Sequence, residues 1–151
     1  MTRINLVQVE KLADQHLMAE WREIKMIPAA LRRSLRTRKV SDILKDIPVR
    51  YTLNKGHVTF FFDKMKFLTE RYELLTYELL NRNYNLSNIS SFSEFLQDIP
   101  AKFCSRNWLP DNAEIEISKE RILNRISEKP EWYRYYGTKT KVDYFKNIYN
   151  E

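Results

Sequence analysis

Glycine and cysteine are almost missing from this chain. Two glycines, Gly56 and Gly137, and one cysteine, Cys104, serve all 151 residues. A phosphate-cradling loop or a dinucleotide fingerprint needs several closely spaced glycines, so both are excluded. A lone thiol excludes a disulfide framework and is compatible with a reducing cytosol. Two histidines and that cysteine are too few for a zinc site of the usual ligand types. His16 and Glu20 can share a helix face, and are read as a solvated pair rather than a metal site. No run reaches the ~18 apolar residues of a membrane span. The start, Met1-Thr-Arg-Ile-Asn-Leu-Val7, lacks the apolar stretch of an export signal, so Asn88-Ile-Ser90 is read as a chance glycosylation sequon.

What is present is ordinary for one folded domain: 43% hydrophobic and 30% charged residues. Such a length supports a hydrophobic core without metals or disulfides. The net charge of +6 and pI near 9.4 point to an anionic partner, nucleic acid before an anionic membrane or an acidic protein.

Apolar periodicity defines three helices. Leu17, Trp21, Ile24, Pro28, Leu31 and Leu35 recur at helical spacing, with a kink or irregular turn expected at Pro28. At about 100° per residue, Gln15, Ala19, Arg22, Met26 and Arg33 fall on one line, with Glu23 about 80° from Gln15 on the same exposed half. Residues 36–57 read as a basic, irregular connector. Phe61, Met65, Leu68, Tyr72, Leu75 and Leu79 mark a second helix, with Asp63 as its expected cap. Residues 84–110 read as loop with one short helix around Phe92 to Leu96. Asp111 and Glu114 have capping-box spacing ahead of a third helix, which Pro130 stops near Lys129. That helix buries Ile115, Ile122 and Ile126 and repeats Arg121, Arg125 and Lys129 along another face. Such a ridge suits a phosphate backbone, although a merely solvated face is the commoner reason for one. The segment Pro130-Glu-Trp-Tyr-Arg-Tyr-Tyr-Gly137 interleaves rings with cations. Its rings can stack on bases or fill the gap between helices, and most are expected to be buried.

Four stretches carry a resemblance: Met1-Thr-Arg-Ile-Asn-Leu6, Ala13-Asp-Gln-His-Leu-Met-Ala-Glu-Trp-Arg-Glu23, Gly56-His-Val-Thr-Phe-Phe-Phe-Asp-Lys64 and Pro130 to Gly137. In this order they are similar to the phage endonuclease V type of pyrimidine-dimer DNA glycosylase. The likeness spans residues 1–137, with 138–151 as an added C-terminal tail. It implies an all-α, compact single domain of three main helices with irregular connectors and an aromatic C-terminal segment. It also implies excision of ultraviolet-induced cyclobutane pyrimidine dimers, then strand nicking by β-elimination at the abasic site, without metal or cofactor. Family members kink the duplex and flip out the base opposite the lesion.

The resemblance assigns the nucleophile to the α-amine of Thr2, exposed once the initiator methionine is removed, and the catalytic carboxylate to Glu23. It matches DNA-contacting positions to Arg3, Gln15, Arg22, Arg121 and Trp132, and to Arg125, where the family has lysine. The expected partner is double-stranded DNA carrying ultraviolet lesions or abasic sites, bound by a monomer in the cytoplasm of a bacterial or phage-infected cell. The chemistry is physically sound. With a reference pKa of about 7.7–8.0, roughly a third of α-amines are neutral near pH 7.5, against about 0.1% of lysines. A carboxylate stabilises the cationic Schiff base that follows attack.

One position departs from the pattern: Met26 stands where the family usually carries a DNA-binding arginine. That puts lesion preference in question and admits a shift towards abasic sites or ring-opened purines. The competing readings are a noncatalytic helical DNA-binding protein on the same scaffold and a protein-interaction module built on the aromatic end.

Overall fold

A computed structural model describes residues 3–151. Thr2 therefore lies outside the described residues. The elements in order are α1 (Asp14–Glu23), α2 (Met26–Leu35), α3 (Val40–Lys45), α4 (His57–Phe60), α5 (Met65–Asn81), α6 (Asn112–Glu128), a hairpin of β1 (Arg134–Tyr135) and β2 (Thr138–Lys139), and α7 (Val142–Tyr149). The fold is all-α, with α1 packed on α5 and α6 packed on α7. Among the described residues no helix is long and apolar enough to cross a membrane.

Pro28 divides the first helical run. It has no N–H to give to Ile24 O, and its ring crowds that carbonyl. Ile24 O instead takes the N–H of Ile27 at 3.2 Å, and the chain restarts as α2 with Pro28 in its first turn, where a missing donor costs nothing. Ile24, Ile27, Pro28 and Leu31 are all buried. The capping box of α6 forms as its spacing predicts: Glu114 N donates to Asp111 Oδ1 at 2.9 Å, and Asp111 N to Glu114 Oε1 at 3.2 Å.

Several expectations change. Asp63 does not cap α5, whose preceding residue is Lys64. Its carboxylate instead accepts from buried Lys64 Nζ at 2.7 Å and from Arg106 Nη1 at 2.8 Å. Compensating a buried ammonium outweighs a cap of about 1 kcal/mol. The connector at 36–57 contains α3, which buries Ile43. The short helix expected around Phe92 to Leu96 forms, as a 3-10 helix, and a second, unexpected one follows at Ala101–Phe103.

Residues 138–151 are part of the folded body. They supply β2 and α7, and Phe145 (0% exposed) and Tyr149 (2%) lie in the same cluster as the rest of the core. The hairpin turn uses Tyr136 at φ 52° and Gly137 at φ 79°, as a two-residue primed turn requires. Buried Asp14 holds that turn by accepting from Tyr136 N at 3.1 Å and Gly137 N at 2.8 Å. Because backbone bonds hold the turn, its rings need not be buried. Tyr133 is enclosed, but Trp132 is 59% and Tyr136 47% exposed, so the expectation of mostly buried rings fails.

Candidate active site

The site is built on the chain start. Residues 3–8 form no helix or strand, yet Ile4, Asn5, Leu6 and Val7 are buried. A buried peptide group without a partner costs free energy comparable to a lost hydrogen bond, so this segment's donors and acceptors must be met. Side chains from five parts of the fold meet them. Arg3 N donates to Glu23 Oε2 at 3.2 Å, and Ile4 N to His57 Nε2 at 2.9 Å. Asn5 N donates to Glu20 Oε1 at 3.2 Å, and Leu6 N to Ser118 Oγ at 2.9 Å. Tyr51 OH donates to Ile4 O at 2.9 Å and Arg71 Nη1 to Val7 O at 2.7 Å.

Glu20 and Glu23, three apart on α1, therefore both face this lead. Glu20 is 1% exposed and bonds Arg71 through both oxygens, at 2.6 and 3.1 Å, as well as Asn5 Nδ2 at 2.8 Å. It is a buried anchor, not half of a solvated pair with His16. His16 faces elsewhere and stacks on Tyr133 with ring centroids 4.7 Å apart. Burial first, then Arg121 and Arg125, push its imidazole down to about 4.

The loop from Tyr51 to Gly56 completes the frame. Gly56 precedes α4 at φ 88°, where a Cβ would lie 3.1 Å from Pro48 Cγ, so glycine is needed both for conformation and for space. Asn54 also lies in the left-handed region, at φ 61°, and its Oδ1 accepts from Arg3 Nη2 at 3.2 Å.

Beside this start lies an open cleft of about 320 Å³, lined by Arg3, Leu53, Asn54, Arg121 and Arg125 together with residues of α6. Arg121 is half-buried. Burial, reinforced by Arg3 and Arg125 and opposed by Tyr51 and Glu23, pushes its guanidinium below the usual value. A cation held among cations is relieved by a bound anion, and a phosphate backbone supplies one.

Of the site residues expected from sequence, Arg3, Arg121 and Arg125 thus line one cleft, and Glu23 bonds the main chain of Arg3. Arg22 is exposed on α1 next to Glu23, and Met26 is 50% exposed at the start of α2. Gln15 and Trp132 form a second group. Gln15 Nε2 donates to Trp132 O at 2.8 Å, and its Oε1 accepts from Arg134 N at 3.0 Å, so its amide joins the aromatic segment to α1. Sequence reasoning took Glu20 only as a solvated partner of His16, and did not single out Tyr51, Asn54, His57 or Arg71. Their roles depend on contacts across 15 to 64 positions, beyond the reach of local pattern.

The geometry thus sets a carboxylate, Glu23, on the main chain of Arg3, beside a cleft lined by arginines. In a comparison with known protein families, residues 1–90 match the family described as pyrimidine dimer DNA glycosylase. That match contains the lead, α1, the 51–57 loop and α5, and on its strength the chain belongs to the pyrimidine dimer DNA glycosylase family.

Proposed function

We propose that this DNA repair glycosylase is bifunctional, excising ultraviolet-induced pyrimidine dimers and then nicking the strand through a Schiff base on the Thr2 α-amine. The observation that supports the reading is the hydrogen bond from Arg3 N to Glu23 Oε2 at 3.2 Å, a carboxylate held by the residue that follows Thr2 in the sequence. Once the initiator methionine is removed, the neutral amine attacks C1′ of the damaged nucleotide. The glycosidic bond breaks, and the base leaves with the bonding pair and takes up a proton. The C1′–O4′ bond then breaks, the nitrogen lone pair forming the protonated imine while O4′ leaves with the bonding pair and takes up a proton. Glu23 stabilises that positive charge. Loss of the C2′ proton to a base, for which Glu23 is the candidate, expels the 3′ phosphate by β-elimination.

Arg3, Arg22, Arg121 and Arg125 are the proposed phosphate contacts, and Gln15 and Trp132 the proposed contacts at the opened stack. Dimers already disturb stacking, which lowers the cost of opening the duplex. Replacing Arg121 and Arg125 together by alanine should flatten the plot of log affinity against log salt by about one per lost phosphate contact. An unchanged slope would remove both from the interface.

The test is a panel of a defined thymine-dimer duplex, an abasic duplex and an undamaged duplex, incubated with and without borohydride. The expected result is cutting of the first two and a trapped covalent adduct with both. The dimer-to-abasic ratio also reads the effect of Met26. Binding to all three without cutting would favour a noncatalytic DNA-binding protein.

A further inference from the structure

We propose that His57, with Tyr51, is a positioning residue for this reaction: the pair grips the main chain on both sides of Ile4 and so sets the course of the lead that carries the proposed nucleophile. This inference rests on the amine reading above. Among the described residues, no backbone–backbone bond holds residues 4–7, so their course depends on side chains. At Ile4 the grip is two-sided, with N–H to His57 Nε2 and O from Tyr51 OH, each at 2.9 Å.

The grip is rigid for identifiable reasons. His57 is 0% and Tyr51 3% exposed. His57 Nδ1 lies 2.8 Å from Thr52 O, which can only accept, so the proton sits on Nδ1 and Nε2 presents its lone pair to Ile4. Burial holds the imidazole down at about 4, neutral at physiological pH, as an acceptor must be. The ring is wedged edge-on against Tyr51, at 5.4 Å, and Phe61, at 5.5 Å. Neither His57 nor Tyr51 lines the cleft, so their effect on chemistry passes through the main chain of Ile4. A misplacement of about 1 Å at a reacting atom costs roughly 10²-fold in rate.

The experiment compares wild type with His57→Leu, His57→Gln and Tyr51→Phe, each checked by thermal melting. Two quantities are read on one abasic duplex: the single-turnover rate of borohydride-trapped adduct, and the Kd. His57→Leu is expected to trap ~10²-fold more slowly with Kd within about threefold of wild type, because the contact is to the chain start and not to DNA. His57→Gln, whose amide offers both an acceptor and a donor, should recover most of that loss. Tyr51→Phe should be slowed about tenfold, having lost one side of the grip. A folded His57→Leu protein that traps at the wild-type rate, or whose Kd rises in step with the rate loss, overturns the inference. If His57→Leu does not fold, Tyr51→Phe decides by the same criterion. No adduct with wild type would instead bring down the amine reading, and this inference with it.

Discussion

A chain extended by one residue ahead of Thr2 should bind damaged DNA and leave it uncut. The extension moves the terminal amine by about 3.8 Å and turns the Thr2 nitrogen into an amide, which is not a nucleophile. The rest of the lead stays clamped by Glu23, His57 and Glu20, so the new amine cannot slide back into place. Loss of both the nucleophile and its alignment predicts a fall in single-turnover glycosylase rate of at least ~10³-fold. Glu23→Gln is the companion change. The amide oxygen can still accept from Arg3 N, but the charge facing the imine is gone, and the expected fall is about 10²–10³-fold. In both proteins Kd for the dimer duplex should change little, since the arginines of the cleft are untouched. Normal cutting by the extended protein would rule out the amine.

The largest effect on stability is expected at Glu20, three residues away on the same helix. Glu20→Ala strands the Arg71 guanidinium, itself only 6% exposed, and leaves Asn5 N–H without its acceptor. Breaking a buried ion pair from one side costs roughly 3–5 kcal/mol. At about 2–4 °C per kcal/mol for a chain of this size, the midpoint should fall by roughly 6–20 °C, readable by calorimetry. Glu23→Ala is the control. Its carboxylate is only partly buried, and among the described residues its bond is one contact at 3.2 Å, so its melting point should stay close to wild type. Equal losses at the two positions would mean that the proposed division of labour along α1, anchor at Glu20 and chemistry at Glu23, is wrong.

The parts of the fold legible in the sequence are those written at short range. The apolar stripe from Leu17 to Leu35, the break at Pro28 and the Asp111–Glu114 box each follow from periodicity or from one missing hydrogen. Most of what escaped was decided by contacts that only the folded chain makes. Asp63 has the chemistry of a cap, but the neighbouring Lys64 ammonium, also stacked 3.8 Å over the Phe60 ring, claims its carboxylate. Tyr136-Gly137 is an uncommon sequence for a primed turn, and only Asp14, over 120 positions away, explains why it holds. Residues 138–151 looked appended because the resemblance ended at Gly137. Yet α7 carries Phe145 and Tyr149 at helical spacing, a core signature in its own right. The site divides in the same way. Arg3, Glu23, Arg121 and Arg125 came from the resemblance, while the side chains that hold the lead in place became visible only through their bonds.

The most direct test of the amine mechanism is to locate the trapped bond. Enzyme and abasic duplex are reduced with borohydride, digested and read by mass spectrometry. The expected adduct sits on the peptide that begins with Thr2, on its α-nitrogen and with no preceding methionine. An adduct on a lysine side chain, or strand cleavage with no adduct on any amine, would contradict the mechanism.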